Sequence, residues 1–278
     1  MITISLDGNT LTPSEVMHIA NGNAKVVVSS DAMARVHSAR SVVERILSND
    51  ETVYGINTGF GALVHQRISS DDLTQLQVNL IRSHATAIGE LMSKESVRAM
   101  MAVRINSLAK GHSGVHPDVL EQIVHFLNYD ITPAIPRIGS LGASGDLAPL
   151  SHMALALIGE GDVLASDGTT ESSITQLKEH GLIPLELRAK DGLSLINGTS
   201  QMCSFLTLSE QRLANLMVYA DLVLCTSIEA RKASVTPADE RVHNARPHEG
   251  QLTISKRIRT ILANSPIMDS HANCEQVQ

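Results

Sequence analysis

Aromatic side chains are nearly missing from this sequence: they make up 2% of its 278 residues, as three tyrosines and three phenylalanines with no tryptophan. A core built instead from Leu, Ile, Val, Ala and Met favours packed helices over a β-sandwich. Cysteine is scarce too. Cys203, Cys225 and Cys274 are odd in number, widely spaced and free of any Cys-x-x-Cys pair, so neither a disulfide framework nor a zinc site is indicated, and a reducing cytoplasm fits. Basic charge is in deficit, with 22 Lys and Arg against 29 Asp and Glu, a net charge of -7 and an isoelectric point near 5.9. Nucleic acid and anionic membranes need a concentrated basic face, so both are excluded as main partners. The first residues, Met1-Ile2-Thr3-Ile4-Ser5, lack the basic region and apolar run of a secretion signal, and no later apolar stretch reads as long and uncharged enough to span a bilayer.

What is there describes an ordinary soluble chain with a sizeable core, 43% hydrophobic and 18% charged. Ile2 to Leu6 alternates apolar and polar residues and ends at Asp7-Gly8-Asn9, a strand and turn, with Val26 to Val28 as its partner. Thr12-Pro13-Ser14-Glu15 opens a short helix, Thr12 as cap and Pro13 at the first helical position. Helical patterns follow over Asp31 to Leu47, Ser70 to His84, Ser93 to Lys110 and Pro117 to Asn128. Another runs from Asp146, placed in the first turn, to Ile158. The polar excursion Gly159 to Pro184 holds a small hairpin or loop and a short helix, and a long helix ends near Ala230. Arg241 to Thr253 reads as irregular, Ile254 to Leu262 as helical, and the tail from Met268 as too short for a domain. The pattern is one mainly α unit with minor β at the N-terminus and near residue 165.

The most informative run is Ile138-Gly139-Ser140-Leu141-Gly142-Ala143-Ser144-Gly145-Asp146-Leu147-Ala148-Pro149-Leu150, where small residues occupy every place a backbone needs to fold tightly. With no side chain in the way, the Gly145 amide nitrogen can reach the Ala143 carbonyl carbon if the fold compresses the loop. Ring closure, with loss of that water and a second from the Ser144 side chain, leaves an exocyclic methylidene on an imidazolone. That is an electrophile none of the twenty side chains supplies. On composition alone such a loop also suits a tight helix N-terminus or an anion nest. A second glycine-rich run, Tyr54-Gly55-Ile56-Asn57-Thr58-Gly59-Phe60-Gly61, breaks the helical pattern without a single charge and reads as a functional loop.

The run from Gly139 to His152 resembles the signature of the aromatic amino acid ammonia-lyases, and the resemblance extends over essentially the whole chain. It implies a helical ammonia-lyase/fumarase-like architecture, with residues 1–278 forming a single N-terminal portion that carries the cofactor-forming loop and the start of a central helical bundle. Ser270-His271-Ala272-Asn273-Cys274-Glu275-Gln276-Val277-Gln278 resembles the segment leading into further catalytic residues, so the C-terminal half is expected to be absent. In the family the tripeptide corresponding to Ala143-Ser144-Gly145 becomes a methylidene-imidazolone group, and no metal or dissociable cofactor is needed. The tyrosine loop implies Tyr54 as the base for the β-proton, a role that requires its phenolate to be stabilised at neutral pH. Ile196-Asn197-Gly198-Thr199 resembles the Asn-Gly-Thr motif, so Asn197 is expected to bind the substrate carboxylate or support the electrophile's carbonyl; capping the long helix is its alternative use.

Ser83-His84 stands where histidine-specific members carry a Ser-His pair, so His84 is expected to hydrogen-bond an imidazole. Gln278 matches a position near the substrate. His112, His116 and His152 sit in no recognisable ligand motif and are read as structural. Ser200 lacks the partner motifs of a subtilisin-like nucleophile, and Gly142 to Gly145 lacks the spacing of a nucleophile elbow. The resemblance thus points to a cytoplasmic homotetramer, or an assembly with a complementing C-terminal chain, that deaminates L-histidine to trans-urocanate and ammonia. A tyrosine or phenylalanine ammonia-lyase or aminomutase is the alternative within this chemistry. A non-catalytic assembly or regulatory fragment is the alternative outside it.

Overall fold

A β-α-β crossover begins the chain. The computed structural model describes residues 1–49, 51–59, 68–69 and 72–271. Strand β1 (Ile2–Leu6) pairs in parallel with β2 (Ala24–Val28), from Ile2 opposite Ala24 to Leu6 opposite Val28, and α1 (Pro13–Ala20) makes the connection that a parallel pair requires. Helix α1 starts with a capping box: the Glu15 amide donates to Thr12 Oγ1 at 3.3 Å, and the Thr12 amide donates to the Glu15 carboxylate at 2.8 Å. The long α2 (Ser30–Ser48) is capped by the Ser29 hydroxyl and turns Ala32, Val36 and Val43 into the core.

The main core forms around α4 (Lys94–Leu108), which follows α3 (Leu73–His84) and the short strand β3 (Ile88–Leu91). Val97, Met100, Met101, Ala102, Ile105 and Leu108 are all buried, and the helix also carries Arg98 and Arg104 inward. A buried charge has to be compensated. Arg98 donates to the carbonyls of Ile19 and Leu127 and to the Asp130 carboxylate at 3.0 Å. Next come α5 (Pro117–Asn128), strand β4 (Pro136–Ile138) and α6 (Leu147–Leu157), then the hairpin β5 (Asp162–Leu164) and β6 (Thr170–Ser172), and α7 (Ser173–Glu179). The antiparallel pairing of β3 with β4 was not legible in the sequence, because all four β3 residues are exposed and give no alternating pattern. The six-residue α8 (Asp191–Ile196) also lacked a periodic signal; it leads directly into α9 (Ser200–Ala230).

By packing, the chain divides into two units, Met1–Ser209 and Glu210–Gln278. Within the second, Cys225, Ala238, Ile258 and Leu262 form a small core, and Arg257 pairs with Asp221 at 3.1 Å. The stretch expected to be irregular, Arg241 to Thr253, is instead mostly helical: α10 (Glu240–Asn244) is followed by α11 (Glu249–Ile261) and α12 (Pro266–Asp269). Its helices start on local polar signals. The Asp239 carboxylate accepts from the Arg241 amide at 2.8 Å, and Glu249 lies in the first turn of α11 against the positive end of the helix dipole. Only Ser255 and Ile258 of α11 are buried, so its apolar stripe was too narrow to read.

Helix α9 also corrects the reading that no stretch suffices to cross a bilayer. It is long and apolar enough by length and composition, since charge between Glu210 and Glu229 occurs only at Arg212 and Asp221. The same composition describes a helix made to be covered by other helices.

Candidate active site

Strand β4 delivers the chain to the small-residue run, and α6 leaves it. Between them Gly142 to Gly145 forms a turn in which the Gly145 amide donates to the Gly142 carbonyl at 3.3 Å, with φ of +89° at Gly142 and +87° at Gly145. Glycine takes these values without steric cost. Ala143 and Ser144 are exposed, whereas Gly145 and Asp146 are buried. On the buried side the loop is pinned to Gly198 by a short parallel bridge: the Gly198 amide donates to the Ser144 carbonyl at 3.1 Å, and the Asp146 amide donates to the Gly198 carbonyl at 2.7 Å. A β-carbon at Gly145 would stand 2.2 Å from the Gly198 oxygen, and one at Gly198 would stand 2.4 Å from Arg104 Nη1. Neither position accepts a side chain.

Two buried charges brace this bridge. The Asp146 carboxylate accepts from the Ser140 hydroxyl at 2.6 Å and from the amides of Gln201 and Met202 at 2.6 and 3.1 Å. It therefore serves the first turn of α9. At α6, where the sequence placed it in the first turn, it occupies the N-cap position and makes no side-chain cap bond. Arg104 donates through Nη2 to the carbonyls of Ser194 and Asn197, the latter at 2.8 Å, so it grips the C-terminal end of α8. Burial lowers its pKa to about 10, against the opposing pull of the Asp146 charge, and it stays cationic at neutrality.

The N-terminal end of α8 is gripped by a second buried pair. Asp191 accepts from the amides of His116 and Arg188, both at 2.8 Å, and from Arg40 Nη1 at 3.3 Å. Burial outweighs these donors and raises its carboxyl to about 6. Gln77 of α3 adds a contact to the same helix, accepting from the Gly192 amide at 2.9 Å.

Helix α8 also touches the tyrosine loop. Gly55 has φ +76°, and a β-carbon there would come within 2.9 Å of Leu193 Cδ2. Asn57 ties the turn together, accepting from the Val53 amide at 2.9 Å and donating to the Glu51 carbonyl at 2.7 Å. Tyr54 projects from this turn with 59% of its surface exposed. Phe60, Gly61 and Ala62 lie outside the described residues.

His84 ends α3, a helix that packs on α6 and α8. Its Nδ1 lies 2.8 Å from the Leu80 carbonyl and 3.0 Å from the Ser83 hydroxyl; donation to the carbonyl takes the Nδ1–H tautomer, in which Nε2 is left to accept. Asn197 is exposed, and its side-chain amide makes no hydrogen bond among the described residues. Its use as a cap is replaced by Asp146, which holds the first amides of α9. Gln278 lies outside the described residues. Among those residues no three His, Cys, Asp or Glu side chains converge as a metal site, and His116 caps α5 by accepting from the Asp118 amide at 3.3 Å.

The family model for aromatic amino acid lyases matches residues 11–278. The chain belongs to the aromatic amino acid lyase family. It is 42% identical to the MIO-dependent tyrosine 2,3-aminomutase of Streptomyces globisporus, over 98% of this chain and 51% of that protein. It is equally 42% identical to the histidine ammonia-lyase of Myxococcus xanthus, over 99% of this chain and 54% of the relative. The crystal structure of the Streptomyces globisporus tyrosine aminomutase superposes with a TM-score of 0.89 at 38% identity, covering 100% of this chain and 54% of the other. The chain thus spans about half the length of these relatives.

For a member of this family, the structure joins the small-residue loop to the Asn-Gly-Thr segment through backbone pairing and sets the tyrosine loop against the helix that ends at Asn197. Arg104 and Asp191 were missed in the sequence. An arginine inside the apolar run Met100-Met101-Ala102-Val103-Arg104-Ile105 was the signal for the first; Asp191 had none, since an acidic residue opening a helix is ordinary.

Proposed function

We propose that this chain supplies the cofactor-forming, N-terminal portion of an ammonia-lyase that converts L-histidine to trans-urocanate and ammonia. The observation that carries the reading is the Gly142–Gly145 turn pinned by Gly198, with Ala143 and Ser144 outward and Gly145 held where only glycine fits. These residues suit the family's group: the ring-closing amide belongs to Gly145, and the bridge from Ser144 to Asp146 restrains the backbone on both sides of it. When formed, the methylidene-imidazolone supplies the electrophile that engages the substrate's amine.

The chain's own side chains then take the remaining tasks. Tyr54, exposed on a turn fixed by Asn57, takes the β-proton of the substrate. Asn197 offers an amide with no competing partner among the described residues, suited to the substrate carboxylate. Arg104 holds the Asn197 carbonyl and so fixes where that amide stands. His84 presents Nε2 as an acceptor, which suits the N–H of a substrate imidazole. The same acceptor also suits a phenolic O–H, and relatives named for tyrosine and for histidine match this chain equally well. The Ser83-His84 pair is what favours histidine.

The exposed apolar residues of α9, among them Leu206, Leu213, Leu216 and Val223, support assembly into a helical bundle, as a homotetramer or with a complementing C-terminal chain. Its free cysteines, Cys203 and Cys225, support a cytoplasmic setting. The test is product release by the assembled enzyme, read as urocanate from histidine and coumarate from tyrosine. Histidine turnover is expected, with Tyr54→Phe reducing it by about 10²–10⁴-fold, the usual contribution of a general base. Near-normal turnover in both Ser144→Ala and Tyr54→Phe would overturn the reading.

A further inference from the structure

We propose that a cavity beside α8, bounded by Arg104, Lys110, His112, Ser113 and Lys190, is a binding site for a small phosphate-type dianion. Its volume is about 380 Å³, enough for a phosphate group and the few atoms attached to it. Arg104, Lys110, His112 and Lys190 line it with no carboxylate among them, and Asn197, whose amide suits the substrate carboxylate, forms part of the same wall.

Neither lysine makes an ion pair among the described residues. Lys190 is half-buried in a desolvating environment that lowers its pKa. Lys110 donates to a neutral acceptor, the Asn9 side-chain oxygen at 3.2 Å. Arg104 feels the charge of Asp146, yet its hydrogen bonds go to backbone carbonyls. Arg104 is buried and Lys190 half-buried, while Lys110 and His112 are exposed; a desolvated lysine with no carboxylate partner beside a buried guanidinium is an arrangement that an anion from solution would complete. Two buried polar atoms of the same lining are also unpartnered, Ser113 Oγ and Arg104 Nε.

The cavity wall is rigid. Gly111 and Gly114 have φ of +77° and +68°, and β-carbons there would meet Arg35 Cβ and Val43 Cγ2, each at 2.6 Å, so the loop carrying Lys110, His112 and Ser113 is pressed onto α2. Lys190 itself holds a left-handed backbone at φ +75°, a conformation that costs a non-glycine residue energy. A pre-formed cluster loses little freedom on binding. A dianion with several acceptor oxygens matches two lysines, a guanidinium and a hydroxyl better than a single carboxylate does.

The proposal does not rest on lyase activity, and its test reads binding alone. Inorganic phosphate, and separately ribose 5-phosphate, would be titrated calorimetrically into the chain at constant ionic strength held with sodium chloride. One saturable site per chain with a Kd of about 1 mM or tighter is expected. Weakening by about tenfold or more is expected in Lys110→Met/Lys190→Met, with an unchanged circular dichroism spectrum. If that double variant does not fold, acetylation of Lys190 in the parent chain, followed by peptide mass spectrometry, decides the matter: phosphate should slow it while chloride does not. Tighter binding of the sugar phosphate identifies a phosphate ester as the occupant, and equal binding identifies free phosphate. Absence of saturable binding, binding unaffected by the lysine changes, or acetylation of Lys190 at the same rate with phosphate would overturn the site.

Discussion

Gly145 and Gly198 meet backbone to backbone, and the contact is intolerant because an oxygen of one occupies the space where a side chain of the other would begin. Gly145→Ala is therefore expected to lower unfolding free energy by at least about 1–3 kcal/mol from its positive φ alone, and to prevent ring closure. Urea melts and the mass of the loop peptide check the two effects separately. Asp191 gives a prediction of opposite character. Its folded pKa, about 6, lies above the ordinary 3.8, so the native state binds more protons than the unfolded chain between those values. Stability contributed by this group is thus full at low pH and declines as pH rises from near 4 to above 6. Relative to Asp191→Asn, the parent should lose about 3 kcal/mol across that interval, since each tenfold change in proton affinity is worth about 1.4 kcal/mol; a difference that does not vary with pH would remove the assignment. At this scale the letters Ala143-Ser144-Gly145 and Tyr54 could be read directly, because their neighbours form distinctive runs. Arg104 and Asp191 act through partners 90 or more positions away in the arginine's case and 75 or more in the aspartate's case with His116 and Arg40, and nothing local announces such pairings.

Helices with their own capping and turn signals were legible, and those that depend on distant partners were not. The box at Thr12 and Glu15 is visible in four consecutive letters, and α1 starts where it says. The start of α9 is set by a carboxylate 55 residues upstream of Gln201, so the alternative use of Asn197 as its cap is taken by Asp146. The two caps should differ in weight. Thr12→Ala removes an exposed cap and is expected to cost about 1 kcal/mol, without effect on ring closure. Asp146→Ala strips the acceptor from three donors around a buried position, and about 3 kcal/mol is expected. Paired chemical denaturation curves compare them, and equal costs would mean that Asp146 does not hold α9. The helices α10 and α11 make the same point from the other side: they are polar and largely exposed, α10 starts on the Asp239 cap and α11 carries Glu249 in its first turn, so a search for apolar stripes passes over them.

For the molecule as a whole, membership in the aromatic amino acid lyase family follows from a match over residues 11–278, while the chain spans about half of its relatives. Helix α9 leaves large apolar residues such as Met217, Tyr219 and Leu222 uncovered, and surfaces of this kind associate. Sedimentation of the chain is expected to show concentration-dependent association that weakens when Leu213 and Leu216 are replaced by Gln; a monomer at all concentrations would argue against a bundle role for this helix. The family was readable from motifs, as was the tight small-residue loop, whereas the proposed substrate rests on the single pair Ser83-His84, since specificity depends on side chains converging in space. The central claim is that the loop at Ala143 to Gly145 makes its own electrophile. Its most direct test is the intact mass of the chain, with any deficit localised to the peptide spanning those residues. The account predicts a chain lighter by two waters there when assembled with whatever completes the enzyme, and an assembled, unmodified loop would contradict it.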